Sequence, residues 1–262
     1  MLSKTYALLF LDIVGSTAFI ERVGTVTAAK RFFKHDTLTR TLIYRYEGLE
    51  IDKTDGFMII FDRCIDAVNF ALAYHRAIPR RTGLAARIGI HWGEVVIKEN
   101  KRIHVEQGAK RVEVEGLAKP IGARIMSLAQ GGQVLMSNAA RKASEHRRSA
   151  FTPKKARFMC LGSYRLKGVK SVMLIHAVGI SLSDFRAPIE TQKVKKVSPP
   201  PNPRQDWTLQ EYSIFFLKLV LVGCFFNGFY HLFYGFWRMR WLIDRYVSYN
   251  SFLRTIYDSF NI

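Results

Sequence analysis

Cysteine is scarce in this chain: Cys64, Cys160 and Cys224 are the only three in 262 residues, widely spaced and odd in number. That pattern excludes a disulfide framework and a zinc-finger site, and it suits a reducing cytosol. Acidic residues are also few, 21 against 40 lysines and arginines, for a formal charge of +19. A surface of that sign attracts polyanions: nucleotide phosphates, anionic lipid or nucleic acid. With no zinc-finger spacing and no basic groove-reading helix, nucleic acid ranks last and no nucleic-acid partner is expected. A secretory signal is lacking too, because Lys4 precedes only a short apolar run that Asp12 interrupts, with no small-residue cleavage site behind it. No sensor domain is visible.

What is present is an apolar content of 48%, ample for a core but unevenly placed, since residues after about 210 are far more apolar and aromatic than the rest. The chain therefore divides into a domain of ordinary size, residues 1–182, and an appendage. Residues 5–14 read as a buried strand. Thr25 to Tyr46 reads as a helix, with Val26, Ala29, Phe33 and Leu42 on a roughly helical period. Glu50 to Phe61 gives a hairpin-like pair of short strands around Asp55-Gly56, and Ile65 to Ile78 a helix closed by Pro79. Ala86 to Lys98 is a strand, and Lys119 to Ala129 a helix that stops before Gly131-Gly132. Strands follow near Gln133–Met136, Cys160–Leu166 and Val172–Val178. This order suggests an α+β sandwich with a largely antiparallel sheet.

Residues 183–211 are expected to form a basic, Pro-rich linker, with Lys193-Val194-Lys195-Lys196 ahead of Pro199-Pro200-Pro201-Asn202-Pro203. A transmembrane helix is expected over residues 212–237. Its apolar stretch from Ile214 to Trp237 carries one charge, Lys218, and at ~1.5 Å per residue it reaches across a ~30 Å hydrocarbon core. Trp207, Tyr212, Tyr234, Phe236 and Trp237 supply interfacial aromatics, and Arg238 and Arg240 a basic stop. Asn227 in mid-span is able to hydrogen-bond across a helix pair. In residues 238–262, Leu242, Tyr246, Tyr249, Leu253, Ile256 and Phe260 recur at helical spacing. That pattern fits an amphipathic helix lying on a membrane or pairing with its copy, and equally a helix packed on the domain.

Two carboxylates carry the chemistry. Asp12 ends an apolar strand and is followed at once by the small-residue turn Gly15-Ser16-Thr17. Asp55 stands in a similar frame, Lys53-Thr54-Asp55-Gly56-Phe57. Ionised acids at strand ends need positive partners. Two of them beside a Gly-Ser-Thr turn are the parts needed to hold magnesium ions and a nucleoside triphosphate.

The motif order Phe10-Leu11-Asp12-Ile13-Val14-Gly15-Ser16-Thr17, Lys53-Thr54-Asp55-Gly56-Phe57, Arg87 to Val95, Gly116 to Arg124 and Leu166-Lys167-Gly168 resembles the catalytic domain of class III nucleotidyl cyclases. The resemblance implies a ferredoxin-like, palm-type sheet with helices packed on it. It implies cyclisation of ATP, with GTP as the alternative, to a 3′,5′-cyclic monophosphate and pyrophosphate. Asp12, Asp55 and the Ile13 carbonyl would hold two Mg²⁺ or Mn²⁺ ions. Val14, Gly15, Ser16 and Thr17 would cradle the β- and γ-phosphates, and Arg124 would stabilise charge on the α-phosphate. Lys167 and Lys170 are triphosphate contacts or simply exposed turn lysines. The family asparagine that orients the ribose is replaced by Pro120, whose side chain donates no hydrogen bond. That replacement puts a catalytically weak or inactive nucleotide-binding module beside the enzyme reading. The adenine-reading lysine position falls on Ile51, with Lys53 two residues away. The adenine-reading acid falls on Glu113, with Glu115 as a rival. His91 and Trp92 read as packing residues. One such domain per chain implies a head-to-tail homodimer, anchored in the cell inner or plasma membrane with the domain in the cytoplasm.

Removing residues 207–262 is expected to release the protein from membranes into the supernatant of a flotation gradient. Persistent membrane association of the truncated chain contradicts the anchor.

Overall fold

The computed structural model describes residues 3–54, 56–145 and 156–197, all within one compact unit spanning Met1–Pro199. Its elements are β1 (Ser3–Ile13), α1 (Ser16–Val23), α2 (Thr25–Arg45), β2 (Gly48–Lys53), β3 (Gly56–Phe61), α3 (Cys64–Thr82) and β4 (Ala86–Glu99). They continue with α4 (Arg102–Glu106), β5 (Val112–Glu115), α5 (Ala118–Leu128), β6 (Val134–Ser137), α6 (Asn138–Glu145), β7 (Arg157–Leu166) and β8 (Met173–Gly179). A short 3-10 helix (Leu182–Phe185) and β9 (Val194–Val197) complete the described residues.

Alternation of side chains along the strands builds two cores, because successive residues point to opposite faces of a sheet. On β1, Ala7, Leu9 and Leu11 join one cluster and Leu8 another. On β3, Phe57, Ile59 and Phe61 share the first face, and Met58 and Ile60 the second. The first face is covered by α2, α3 and α6, through Ile43, the buried side of α3 and Ala140. The second is covered by α5, through Ala118, Ile121, Ile125 and Leu128. With both faces covered, β1 and β3 read as near-continuous apolar runs.

The strands form one sheet in the order β2-β3-β1-β4-β6-β8-β7-β9, with β5 paired to the far end of β4. Pairing is antiparallel except between β4 and β6, as the expected largely antiparallel α+β architecture requires. Glycine lets α5 lie close to the sheet: a β-carbon on Gly122 would come within 2.7 Å of the Phe10 ring, and one on Gly89 within 2.3 Å of the Met126 backbone.

The structure departs from the sequence reading in four places. The third helix does not stop at Pro79 but runs to Thr82. Proline costs the helix one N–H bond, yet the last turn recovers its contacts. Thr82 Oγ1 donates to the Ile78 carbonyl at 2.8 Å, and the Gly83 N–H donates to the Pro79 carbonyl at 2.8 Å. Gly83 terminates the helix in the left-handed region, at φ 73°. Second, α4 and β5 form an antiparallel excursion from the end of β4 that the polar sequence there did not suggest. Third, α6 follows β6 directly. Fourth, residues 183–197, expected as the start of the linker, contain the 3-10 helix and β9, which pairs with β7 from Ser163↔Val197 to Leu166↔Val194.

Among the described residues no helix is long and apolar enough to cross a membrane. The expected span at 212–237 and the tail helix at 238–262 lie outside those residues.

Truncating Ile59, fully buried under α2 and α3, removes three carbons from a close-packed core. Ile59→Ala should cost about 2–5 kcal/mol of unfolding free energy, read as a lowered midpoint in denaturant. A change within ±0.5 kcal/mol would contradict this packing.

Candidate active site

Asp12 lies one residue from the end of β1, a strand flanked by β3 and β4. Its register partners are Gly56 on one side and Arg87 on the other. Arg87 donates twice to the same carboxylate oxygen, Oδ2, from Nε at 2.9 Å and Nη2 at 2.7 Å. This cation meets the requirement that a strand-end carboxylate have a positive partner. Among the described residues Oδ1 carries no hydrogen bond. The two side chains are 25% and 34% exposed, so solvent screening keeps the pair's contribution to stability small.

Gly56 is a glycine for a steric reason: a β-carbon there would sit 1.9 Å from the Leu11 carbonyl oxygen. The backbone of β3 thus starts hard against β1 beside Asp12. Asp55, the residue before it and the second predicted acid, lies outside the described residues.

After buried Ile13 the chain leaves the sheet. The Val14 N–H donates to the Ala85 carbonyl at 2.9 Å. Gly15, at φ 68° and ψ 30°, is the N-cap of α1, and no side chain caps the helix. The N–H groups of the first turn, which starts at Ser16 and Thr17, have no acceptor within the helix and mark a potential anion site.

Lys53 is elsewhere. The register Lys53↔Phe57 puts it on the face of the sheet covered by α2, whereas Asp12 and Arg87 belong to the α5 face. Its ammonium reaches Asp36 of α2 at 3.3 Å and the Thr54 carbonyl at 2.7 Å, and lies 5.5 Å from the centre of the Phe57 ring. Asp36 in turn meets His35 Nδ1 at 3.0 Å, and His35 Nε2 meets the Tyr74 hydroxyl at 2.7 Å. Burial holds the His35 imidazole below its ordinary pKa, against the opposing pull of Asp36. Tyr74, His35, Asp36 and Lys53 thus tie α3 and α2 to the β2–β3 hairpin. Ile51, at the family's lysine position, is only 8% exposed and packs with Leu8, Met58 and Ile60.

Arg124 and the β7–β8 turn come together: Arg124 Nη2 lies 3.8 Å from where a β-carbon on Gly168 would be. Lys167 and Lys170 are exposed on that turn. Among the described residues no carboxylate pairs with half-buried Arg124 or with exposed Lys167 and Lys170. Pro120 stands one helical turn before Arg124, in the first turn of α5, where its missing N–H costs the helix nothing.

Glu113 is on β5 opposite Lys98. Asn100 Nδ2 donates to it at 3.0 Å and Lys98 Nζ approaches to 3.5 Å. The Asn100 hydrogen bond and then the Lys98 charge hold its pKa below the usual carboxylate range, so it is an acceptor at neutral pH. Asn100 Nδ2 also donates to the Lys110 carbonyl at 2.8 Å, and Lys110 Nζ reaches Asp52 Oδ1 at 2.6 Å, so the β4–β5 hairpin curls back over the sheet to the end of β2. Glu115, the rival, pairs with Lys119 at 3.3 Å.

His91 is buried, its Nδ1 2.9 Å from Ser137 Oγ, and burial pushes its pKa down to about 4. Trp92 packs against the core beneath α3. Both are packing residues, as expected. Among the described residues no three His, Cys, Asp or Glu side chains converge as a metal site. The donors available from Asp12 and the Ile13 carbonyl are hard oxygens, which fit Mg²⁺ or Mn²⁺ and disfavour softer ions.

The model of the adenylate and guanylate cyclase catalytic domain matches residues 3–179. The chain belongs to that family. Solved structures agree on the fold. An adenylate cyclase from Trypanosoma brucei, studied in its monomeric state, is 23% identical over 74% of this chain and 95% of its own, with a TM-score of 0.60. The adenylyl cyclase CyaB from P. aeruginosa is 16% identical over 71% and 100%, at 0.58. The guanylate cyclase domain of RhGC from Catenaria anguillulae, in complex with GTP, is 17% identical over 69% and 99%, at 0.55. No curated protein sequence matches. The cyclase fold is thus common to relatives named for either nucleotide, and this chain is a nucleotidyl cyclase domain.

One residue of this cyclase site escaped the sequence reading, Arg87. Arg87 opens the β4 motif, but only the β1–β4 register brings it to Asp12. Because the Asp12–Arg87 pair is partly exposed, Asp12→Ala should change unfolding free energy by about 1 kcal/mol or less, while lowering cyclase turnover at least about 100-fold. Substantial residual turnover refutes the role of Asp12.

Proposed function

We propose that this cyclase domain converts ATP to 3′,5′-cyclic AMP and pyrophosphate in a head-to-tail homodimer. The observation that carries the proposal is the junction at the end of β1. There a carboxylate held by Arg87 through one oxygen, a backbone turn through left-handed Gly15 and an uncapped helix N-terminus follow one another within five residues.

In this reading Asp12, the Ile13 carbonyl and Asp55 hold two Mg²⁺ or Mn²⁺ ions. When bound, the ions lower the pKa of the ribose 3′-hydroxyl and neutralise charge on the leaving pyrophosphate. The 3′-oxygen attacks the α-phosphorus in line, the bond to the β-phosphate oxygen breaks, and the hydroxyl proton passes to solvent. The first-turn N–H groups of α1 hold the terminal phosphates. Arg87, already at hydrogen-bond distance from Asp12, is within reach of the same triphosphate. Arg124, with Lys167, stabilises the charge that grows on the transferred phosphoryl group. Glu113, an ionised acceptor, takes the adenine amino hydrogen. In the dimer one subunit supplies the acids and its partner the base-reading groups.

A second reading, cyclisation of GTP, is favoured by one observation. Ile51 is buried and Lys53 is engaged by Asp36, so no lysine is offered to adenine from β2. Membrane attachment through residues 212–237, with the domain in the cytoplasm where ATP is present, completes the proposal.

Incubating the purified protein with ATP or GTP, and Mg²⁺ or Mn²⁺, and assaying both cyclic products tests the assignment directly. Cyclic AMP in excess is expected; cyclic GTP in excess transfers the function to the second reading, and neither product refutes both. Pro120→Asn restores a hydrogen-bond donor one turn from Arg124 and should raise turnover about 10-fold or more. An unchanged rate would show that Pro120 costs this site nothing.

A further inference from the structure

Away from the catalytic end, α2 and α3 flank an open cleft of about 450 Å³. Arg45 from the last turn of α2 and Arg76, Arg80 and Arg81 from the second half of α3 line it, above an apolar floor that includes Leu42 and Ala77. No acidic residue is among its walls. Elsewhere Arg40 pairs with Glu50, Arg63 with Asp66, Arg102 with Glu106 and Arg141 with Glu145, while other arginines such as Arg124 and Arg165 have no ion pair among the described residues. Among the described residues none of the four cleft arginines has an ion pair. The acids nearest in sequence, Glu47 and Asp66, are both directed at Arg63, at 3.9 Å and 2.6 Å.

Arginine at a helix C-terminus complements the helix dipole, which accounts for Arg45, Arg80 and Arg81 taken singly. It does not account for Arg76, more than a turn inside α3, nor for four like charges gathered in one concavity. All four arginines are exposed, and their summed charge raises the positive potential over the cleft and favours an anion there. Guanidinium groups match phosphate oxygens in forked, two-bond geometry. The volume falls in the range of small-molecule sites, and the apolar floor suits a carbon body rather than a bare ion.

We propose that the α2–α3 cleft is a second binding site of this cyclase, separate from the catalytic end, for a soluble organic phosphate bearing two or more phosphoryl groups. Inorganic tripolyphosphate is the probe. The full-length protein, in neutral detergent with a metal chelator present, is titrated calorimetrically. Saturable binding is expected. Arg76→Gln/Arg80→Gln should weaken it about 100-fold, and Arg45→Gln about 10-fold, from the loss of charge-assisted hydrogen bonds. Arg87→Gln, at the catalytic end, should leave it unchanged. Thermal midpoints of the variants confirm folding, and Arg45→Gln decides the matter if the double variant misfolds. The proposal is overturned if the wild type shows no saturable binding, if the cleft variants bind like wild type, or if Arg87→Gln alone removes binding. Flotation with phosphatidylglycerol vesicles separates the other source of phosphate. If the cleft variants lose vesicle binding yet keep tripolyphosphate affinity, the cleft takes lipid headgroups and the soluble-ligand proposal fails.

Discussion

The Asp12–Arg87 contact is where the demands of the fold and of the site meet. β1 is buried on both faces along most of its length, and a strand in that position tolerates a carboxylate only at its end and only beside a cation. The β1–β4 ladder supplies the cation through register, setting Arg87 directly across from Asp12. Both hydrogen bonds land on one carboxylate oxygen. The site is thus poised by a contact that is worth little to folding and much to positioning.

Around that contact the fold divides its cations by task. Arg87 serves the acid, whereas Arg124 of α5 approaches the β7–β8 turn that carries two exposed lysines. Lys53, close in sequence to Asp55, is turned through the sheet to Asp36 and there joins a chain of contacts running to buried Tyr74. Its place under α2 makes it a tether of the β2–β3 hairpin. The excess of basic over acidic residues in the whole chain is consequently uneven in meaning. Some arginines are matched by carboxylates, some face the proposed triphosphate, and four line a cleft on the opposite side of the sheet.

The β4–β5 hairpin that carries Glu113 curls back over the α5 face of the sheet, where Lys110 meets Asp52 at 2.6 Å. The replacement of the family asparagine by Pro120 is accommodated structurally, since proline fits the first turn of a helix. Its consequence is confined to chemistry, one turn from Arg124.

Residue order alone determined a good deal here. The apolar run ending in Asp12, the alternation through Met58 and Ile60, and the helical period from Thr25 are local patterns, legible because side-chain periodicity follows from backbone geometry. The family motifs around Asp12 and Arg124 were legible as short contiguous signatures. Tertiary structure decided what depends on register and on faces. One residue of pairing sends a side chain to the other side of a sheet, so only the β-bulge between Glu50 and Asp52 and the β2–β3 register reveal that Lys53 serves α2 and that Ile51 is core. The partnership of Arg87 with Asp12 and the approach of Arg45 to the arginines of α3 were hidden for the same physical reason. Each joins residues through space that no sequence period connects.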